Sequence, residues 1–227
     1  MFYIFNLLFQ LEKKNTSEFT TIENTMEVQS LQMIGFLFSV CHTVLFVQVI
    51  KGNWSSLEFS EMILQDWVTD MNLVRLLMAA EMLKPVTPTV SAEDKSQVTE
   101  YFPHLVIVHN KAEFTDMEPL ALDNIENIYS RVLQKSRLQW RRSDDSNRPL
   151  VVAVPDQEDR QEEQRKMKSF HNFEAATKIL RRTVFSLKRS PLTQTKLTER
   201  TWVSLANRTW DNIKNSSFYM EYSRLLP

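Results

Sequence analysis

Three short apolar runs rich in β-branched residues punctuate the chain: Thr43 to Val47 (TVLFV), Leu105 to Val108 (LVIV) and Leu150 to Val154 (LVVAV). They are apolar at successive rather than alternate positions, which predicts strands buried on both faces, as in a parallel sheet. Between and after them the apolar residues take helical spacing. Leu73, Leu76, Leu77, Ala80 and Leu83 form one stripe, Leu122, Ile125, Tyr129, Val132 and Leu133 a second, and Phe173, Ala176, Leu180, Val184 and Leu187 a third. Met33 to Val40 predicts the end of a helix ahead of the first strand. The last segment, Leu197 to Leu226, puts Trp202, Leu205, Ala206, Trp210 and Ile213 on one helical face, with Thr198 as its cap. Such a face either packs on its own domain or receives a partner, since aromatic side chains are enriched at interface cores.

Alternation of helix and strand in this order predicts an α/β fold around a largely parallel sheet with right-handed crossovers. Thr115-Asp-Met-Glu118 has the form of a capping box ahead of Pro119, and Lys84-Pro85 closes the helix before it. Pro85 to Thr99, with its prolines, threonines and serines, reads as a surface loop. Asp156 to Lys168 (DQEDRQEEQRKMK) reads as a solvated charged loop. Three strands are few for an open sheet, so the remaining strands are expected upstream of Met1.

Composition sharpens this picture at one point. Average usage would place roughly 16 glycines in such a chain, and the sequence has two, Gly35 and Gly52. Glycine-rich phosphate loops need several glycines for their tight turn and for close backbone approach to phosphate, so none is expected here. Helix caps and loops of a complete α/β domain also use glycine freely, which points to an incomplete domain. A hydrophobic content of 43% is ordinary for one globular domain. The formal net charge of -1 offers no field that favours a polyanion, so direct nucleic-acid binding is not expected. Cys41 is the sole cysteine, which excludes a disulfide framework within the chain and fits a reducing, cytoplasmic setting. Met1 to Gln10 is apolar but lacks the basic start and cleavage site of a signal peptide, and no later run has the roughly 20 apolar residues of a membrane span. A soluble protein with no membrane partner is the expectation.

Ligands of parallel α/β sheets bind beyond the carboxyl ends of the strands. Those ends read Gln48, then His109-Asn110-Lys111-Ala112-Glu113, then Pro155-Asp156. In G proteins the equivalent strand ends in Asn-Lys-x-Asp, which reads the guanine base. Asn110 and Lys111 fit that pattern, while Glu113 stands where the aspartate belongs, and its extra methylene misplaces the carboxylate. These three are candidate vestigial nucleotide-binding residues, against the alternative of an ordinary strand-to-loop turn. No catalytic residue is expected: two glycines permit no nucleophile elbow. No metal ligand set is expected either, because His42, His104, His109 and His171 lack ligand spacing. His104 and His109 flank a strand and take no special role in this reading. Cys41 reads as a small core residue.

Four stretches taken as whole strings resemble the family of the ninth SMG-group factor of nonsense-mediated mRNA decay. They are Val28 to Thr43, Gln65 to Val86, Tyr101 to Glu113 and Leu197 to Pro227. The most specific is the last, with Trp202, Trp210 and Asp211 followed by Glu221 to Leu226 (EYSRLL), a run that includes Tyr222. The resemblance covers roughly 26–227, which it makes the C-terminal part of a G-like domain, with 1–25 a non-homologous or disordered N-terminus. It implies an incomplete P-loop-NTPase-like parallel sheet with flanking helices, whose phosphate-loop half is missing. It further implies a non-catalytic regulatory or scaffold subunit that forms a heterodimer with the eighth SMG subunit and acts on the group's phosphatidylinositol-kinase-like protein kinase. No cofactor is then expected in this chain, although a full-length form would have the means to hold a nucleotide and so to act as a nucleotide-dependent switch, the alternative reading. Trp202, Trp210 and Tyr222 are the expected packing or interaction residues. Removing 49–65 restores the family's continuous string, so this segment is expected to be an insertion, either a retained intron or a genuine insertion loop.

Overall fold

The computed structural model describes residues 16–49, 74–86, 88–90, 98–113, 115–142, 148–155, 173–193 and 197–225. The charged run 156–168 and almost all of 49–65 lie outside these residues, as do 1–15.

The three apolar runs are strands β1 (Thr43–Gln48), β4 (His104–Ala112) and β5 (Val151–Pro155). They form one parallel sheet in the order β1-β4-β5, with Leu45 opposite Val106 and Val108 opposite Val152. Each connection between parallel neighbours contains a helix, as chain geometry requires. The first passes through α2 (residues 74–83) and the second through α3 (Pro119–Val132). Alternate residues of β4 feed two separate cores. Leu105 and Ile107 join Leu31, Ile34 and Phe38 of α1 (Thr16–Val40), Leu77 and Ala80 of α2, and Ile125 and Tyr129 of α3. Val106 and Val108 face Ala176, Leu180 and Leu187 of α4 (Phe173–Ser186) and the residue after it. Both faces of β4 are thus covered, which is why its sequence shows no polar alternation.

Outside α1 lies a further helical layer, α5 (Glu199–Lys214) and α6 (Ser217–Leu225). Ile213 and Tyr219 enter the core that contains α1. α1 is therefore packed on two sides, by the sheet and by the terminal helices, and it carries apolar residues on both. Thr198 caps α5 as expected, accepting from the backbone N–H of Thr201 while its own N–H donates to the Thr201 hydroxyl at 2.8 Å. The terminal segment is two helices, divided at Asn215 and Ser216.

Two local expectations fail. Part of the supposed loop 85–99 is an antiparallel pair, β2 (Pro88–Val90) with β3 (Val98–Glu100). A knot of ion pairs ties this pair to the helices. Lys84, at the end of α2, meets Glu100 at 2.9 Å, Arg137 meets Glu100 at 2.8 Å, and both cations lie 4.4 Å from the centroid of the Phe102 ring. The buried carboxylate of Glu81 accepts from the Ser136 hydroxyl at 2.6 Å and the Arg137 backbone at 2.8 Å, which fixes α2 to the end of α3. The second failure is the capping box. Thr115–Met117 is a short 3-10 turn, the cap of α3 is Glu118, and no side chain caps it. Pro119 at the start of α3 has no N–H to satisfy, which reduces the need for one.

Candidate functional site

The parallel register brings the carboxyl ends of the three strands to one edge of the sheet. Gln48 pairs with His109, Asn110 with Val154 and Ala112 with Pro155. At β1 the Gln48 side chain is buried and its amide donates to the Tyr129 hydroxyl of α3. At β4 the ladder is irregular between Asn110 and Ala112, because Lys111 adopts φ 56°. Left-handed backbone at a residue with a Cβ is costly, and strained positions of this kind cluster at ligand clamps and switches. Asn110 is half-buried, while Lys111 and Glu113 are exposed. The structure thus brings the three candidate nucleotide residues together at one bulged strand end.

The loop that follows is held by a pair absent from the sequence reading. His109 and Asp116 are both buried, with Nε2 of the imidazole 3.3 Å from Oδ2 of the carboxylate. The same oxygen accepts the backbone N–H of Glu113 at 3.0 Å, and the N–H of Asp116 donates to the carbonyl of Glu113 at 3.1 Å. Asp116 therefore closes a tight turn and fixes the strand exit against His109, where the sequence suggested only a helix cap. The reading of His109 as a histidine without a role is corrected by this pairing. His104, at the other end of β4, places Nε2 2.8 Å from the carbonyl of Lys188 and secures the end of α4. Nδ1 of His109 and Oδ1 of Asp116 are buried without a hydrogen-bond partner. Among the described residues no group of His, Cys, Asp and Glu has the arrangement to hold a metal ion. Cys41 is half-buried, its thiol pushed up by that burial and its carbonyl accepting from the Tyr101 hydroxyl at 2.8 Å.

The terminal aromatics all meet α1. Trp202 donates its indole N–H to the carbonyl of Val40 at 2.9 Å, satisfying one of the acceptors that a helix end leaves open. Trp210 stands edge-on to Phe36, with ring centroids 5.5 Å apart at 73°. Tyr222 donates to Oε1 of Glu27 at 2.6 Å, and burial together with that carboxylate pushes its hydroxyl up to about 12. Tyr219 is fully buried with its hydroxyl unpartnered. Trp202 nevertheless remains 38% exposed beside the exposed Val203.

Parallel strands joined by helices, with helices on both faces, define an α/β unit built on a three-stranded parallel sheet. No family model matches the chain. Among curated proteins it is 30% identical, over 98% of its own length, to the nonsense-mediated mRNA decay factor SMG9 of Xenopus tropicalis and, equally, to that of Xenopus laevis. It is 28% identical to the SMG9 factor of Salmo salar, again over 98% of the chain. The chain is thus similar to the SMG9 decay factors along nearly all of its own length, and it spans about half the length of these relatives, 47% in the two Xenopus proteins. No described helix is long and apolar enough to cross a membrane.

Proposed function

We propose that the chain serves nonsense-mediated mRNA decay as a non-catalytic regulatory or scaffold subunit of a kinase complex, acting through protein contacts in the cytoplasm. The relationship to SMG9 factors over 98% of the chain carries this reading. In it, the chain corresponds to the C-terminal part of a P-loop-NTPase-like domain whose phosphate-loop half is not among these residues. The parallel sheet β1-β4-β5 and the pair Asn110-Lys111 at the end of β4 support that assignment. Its partners are the eighth SMG-group subunit, in a heterodimer, and the phosphatidylinositol-kinase-like protein kinase of the group. No cofactor and no direct contact with nucleic acid belong to this reading. Co-purification is the test: the tagged chain, expressed with the eighth subunit and the kinase, is expected to retain both through a salt wash. Recovery of the chain alone in its folded form would refute the assignment.

A second reading has one observation in its favour. The left-handed Lys111 at a bulged strand end is the sort of backbone that ligand sites use, and a longer product that supplied a phosphate loop would then be a nucleotide-dependent switch. A GxxxxGK[ST] sequence encoded upstream in the same message distinguishes this reading from the first.

A further inference from the structure

The inner face of α4 is fixed to the sheet through Ala176, Leu180 and Leu187. Its outer face repeats at helical spacing with Glu174, Lys178, Arg181, Arg182 and Phe185, which are i, i+4, i+7, i+8 and i+11 and share one stripe. All are exposed. Phe185, at 65% exposure, is the apolar centre of the stripe, and the Arg181 guanidinium lies 5.8 Å from the centroid of its ring. Ile179, 52% exposed, lies at the edge of the stripe, one turn before Arg182. Exposed Lys188 and Arg189 continue the basic character just past the helix end, where the Lys188 carbonyl is tied to His104.

We infer that this stripe is a docking surface for an acidic amphipathic protein segment, one that inserts an apolar side chain against Phe185 and sets carboxylates against Arg181 and Arg182. Arginine with a central aromatic is the composition of interface hot spots. A planar guanidinium matches a carboxylate in two parallel hydrogen bonds. The stripe stands on a helix packed into the core, so the backbone positions that carry it are fixed before a partner arrives. A phosphate backbone is the poorer occupant. Glu174 opens the stripe with a carboxylate that already engages Lys178 at 2.8 Å, and the chain's net charge of -1 adds no long-range attraction. The surface is distinct from the terminal aromatics, and the inference stands whether or not the kinase-complex reading holds.

The probe is a helical peptide of glutamate, leucine and alanine with leucines on one face flanked by glutamates, titrated into the full chain by fluorescence anisotropy. Saturable binding that weakens with added salt is expected, and exposed charge pairs require that dependence. R181E/R182E and Phe185→Ala, with circular dichroism unchanged because all three residues are exposed, should each weaken binding tenfold or more. A glutamine version of the peptide should bind at least tenfold more weakly than the glutamate one. No saturable binding, equal binding by the variants, equal binding of the glutamine peptide, or tighter binding of an oligouridylate would each overturn the inference.

Discussion

Lys111 shows most directly how one backbone position is tied to a possible role. An L-residue in the left-handed region loses about 1–2 kcal/mol, whereas glycine adopts it freely at an entropic cost of about 0.5–1 kcal/mol. Lys111→Gly should therefore raise stability by about 0.5–1 kcal/mol, read as a higher urea midpoint at unchanged slope. A lower midpoint would mean that the lysine side chain compensates its own strain through its contacts. Tyr219 poses a different problem, a fully buried hydroxyl with no hydrogen-bond partner. Its removal relieves a desolvated polar group, so Tyr219→Phe is expected to be neutral or stabilising. Burial raises this hydroxyl from its ordinary value of 10 to about 12 in the folded chain. The folded state thus holds the proton that the unfolded state releases. The associated stability is complete below pH 10 and is lost as pH rises towards 12. Tyr222 acts in the same direction, as does Tyr101, which burial also raises. Burial lowers Lys84 despite its pairing with Glu100, so that residue adds stability as pH climbs towards its unfolded value of 10.5. The alkaline loss should therefore emerge above about pH 10, and Tyr219→Phe should flatten it in urea titrations across that range.

Among elements, the crossing of α1 and α6 turns on Gly35. A Cβ at this position would collide with the Tyr219 hydroxyl, while the next ring atom stays 3.7 Å away. Alanine would otherwise favour the helix by about 1 kcal/mol, and overpacking costs about 1–3 kcal/mol. Gly35→Ala alone should destabilise, whereas in the Tyr219→Phe background the same change should stabilise, a reversal that a double-mutant cycle measures directly. Trp210→Ala, which strips the edge-on contact from Phe36, should cost up to about 3 kcal/mol, the low end for a buried aromatic because Trp210 is half-buried. An unchanged melting temperature would show that the α5 face contributes little to the fold. The elements legible in the sequence are those whose pattern follows from burial. β4 is apolar at every position from Leu105 to Val108 because two cores flank it, and the α3 and α4 stripes mark the single face each helix turns inward. The β2–β3 pair was hidden because two strands of three residues carry no periodicity, and its hold comes from Lys84, Glu100 and Arg137, which are distant in sequence. The exit loop of β4 was misread for a related reason. Thr115 and Glu118 have the spacing of a capping box, but between them Asp116 is drawn inward by a buried histidine seven residues earlier. Of the candidate site, residue types made Asn110, Lys111 and Glu113 legible, but not the bulge and left-handed turn that bring them together.

For the whole molecule, architecture alone invites the conclusion that the chain hydrolyses a nucleotide. Phosphoryl transfer depends on charge stabilisation by a phosphate loop, its lysine and a bound magnesium ion, and a sequence with only Gly35 and Gly52 cannot form that loop. Base contacts without phosphate contacts supply weak affinity, and Asn110 and Lys111 are candidates for base contacts alone. Titration calorimetry with GTP, GDP and ATP should show no binding at micromolar concentration and little preference for guanine. Low-micromolar GTP binding abolished by Asn110→Ala would reverse that conclusion.

The indole of Trp202 reaches across 162 positions to close the end of α1 at Val40. Ribosomes add roughly 5–20 residues per second, so α1 is complete roughly 8–30 seconds before the tryptophan that finishes its packing has been synthesised. Throughout that interval the outer side of α1, with Phe36 and the notch at Gly35, has no terminal helix to lie against. The outer side of α1 is therefore covered only once α5 and α6 emerge, and it is the surface a chaperone would meet in the meantime.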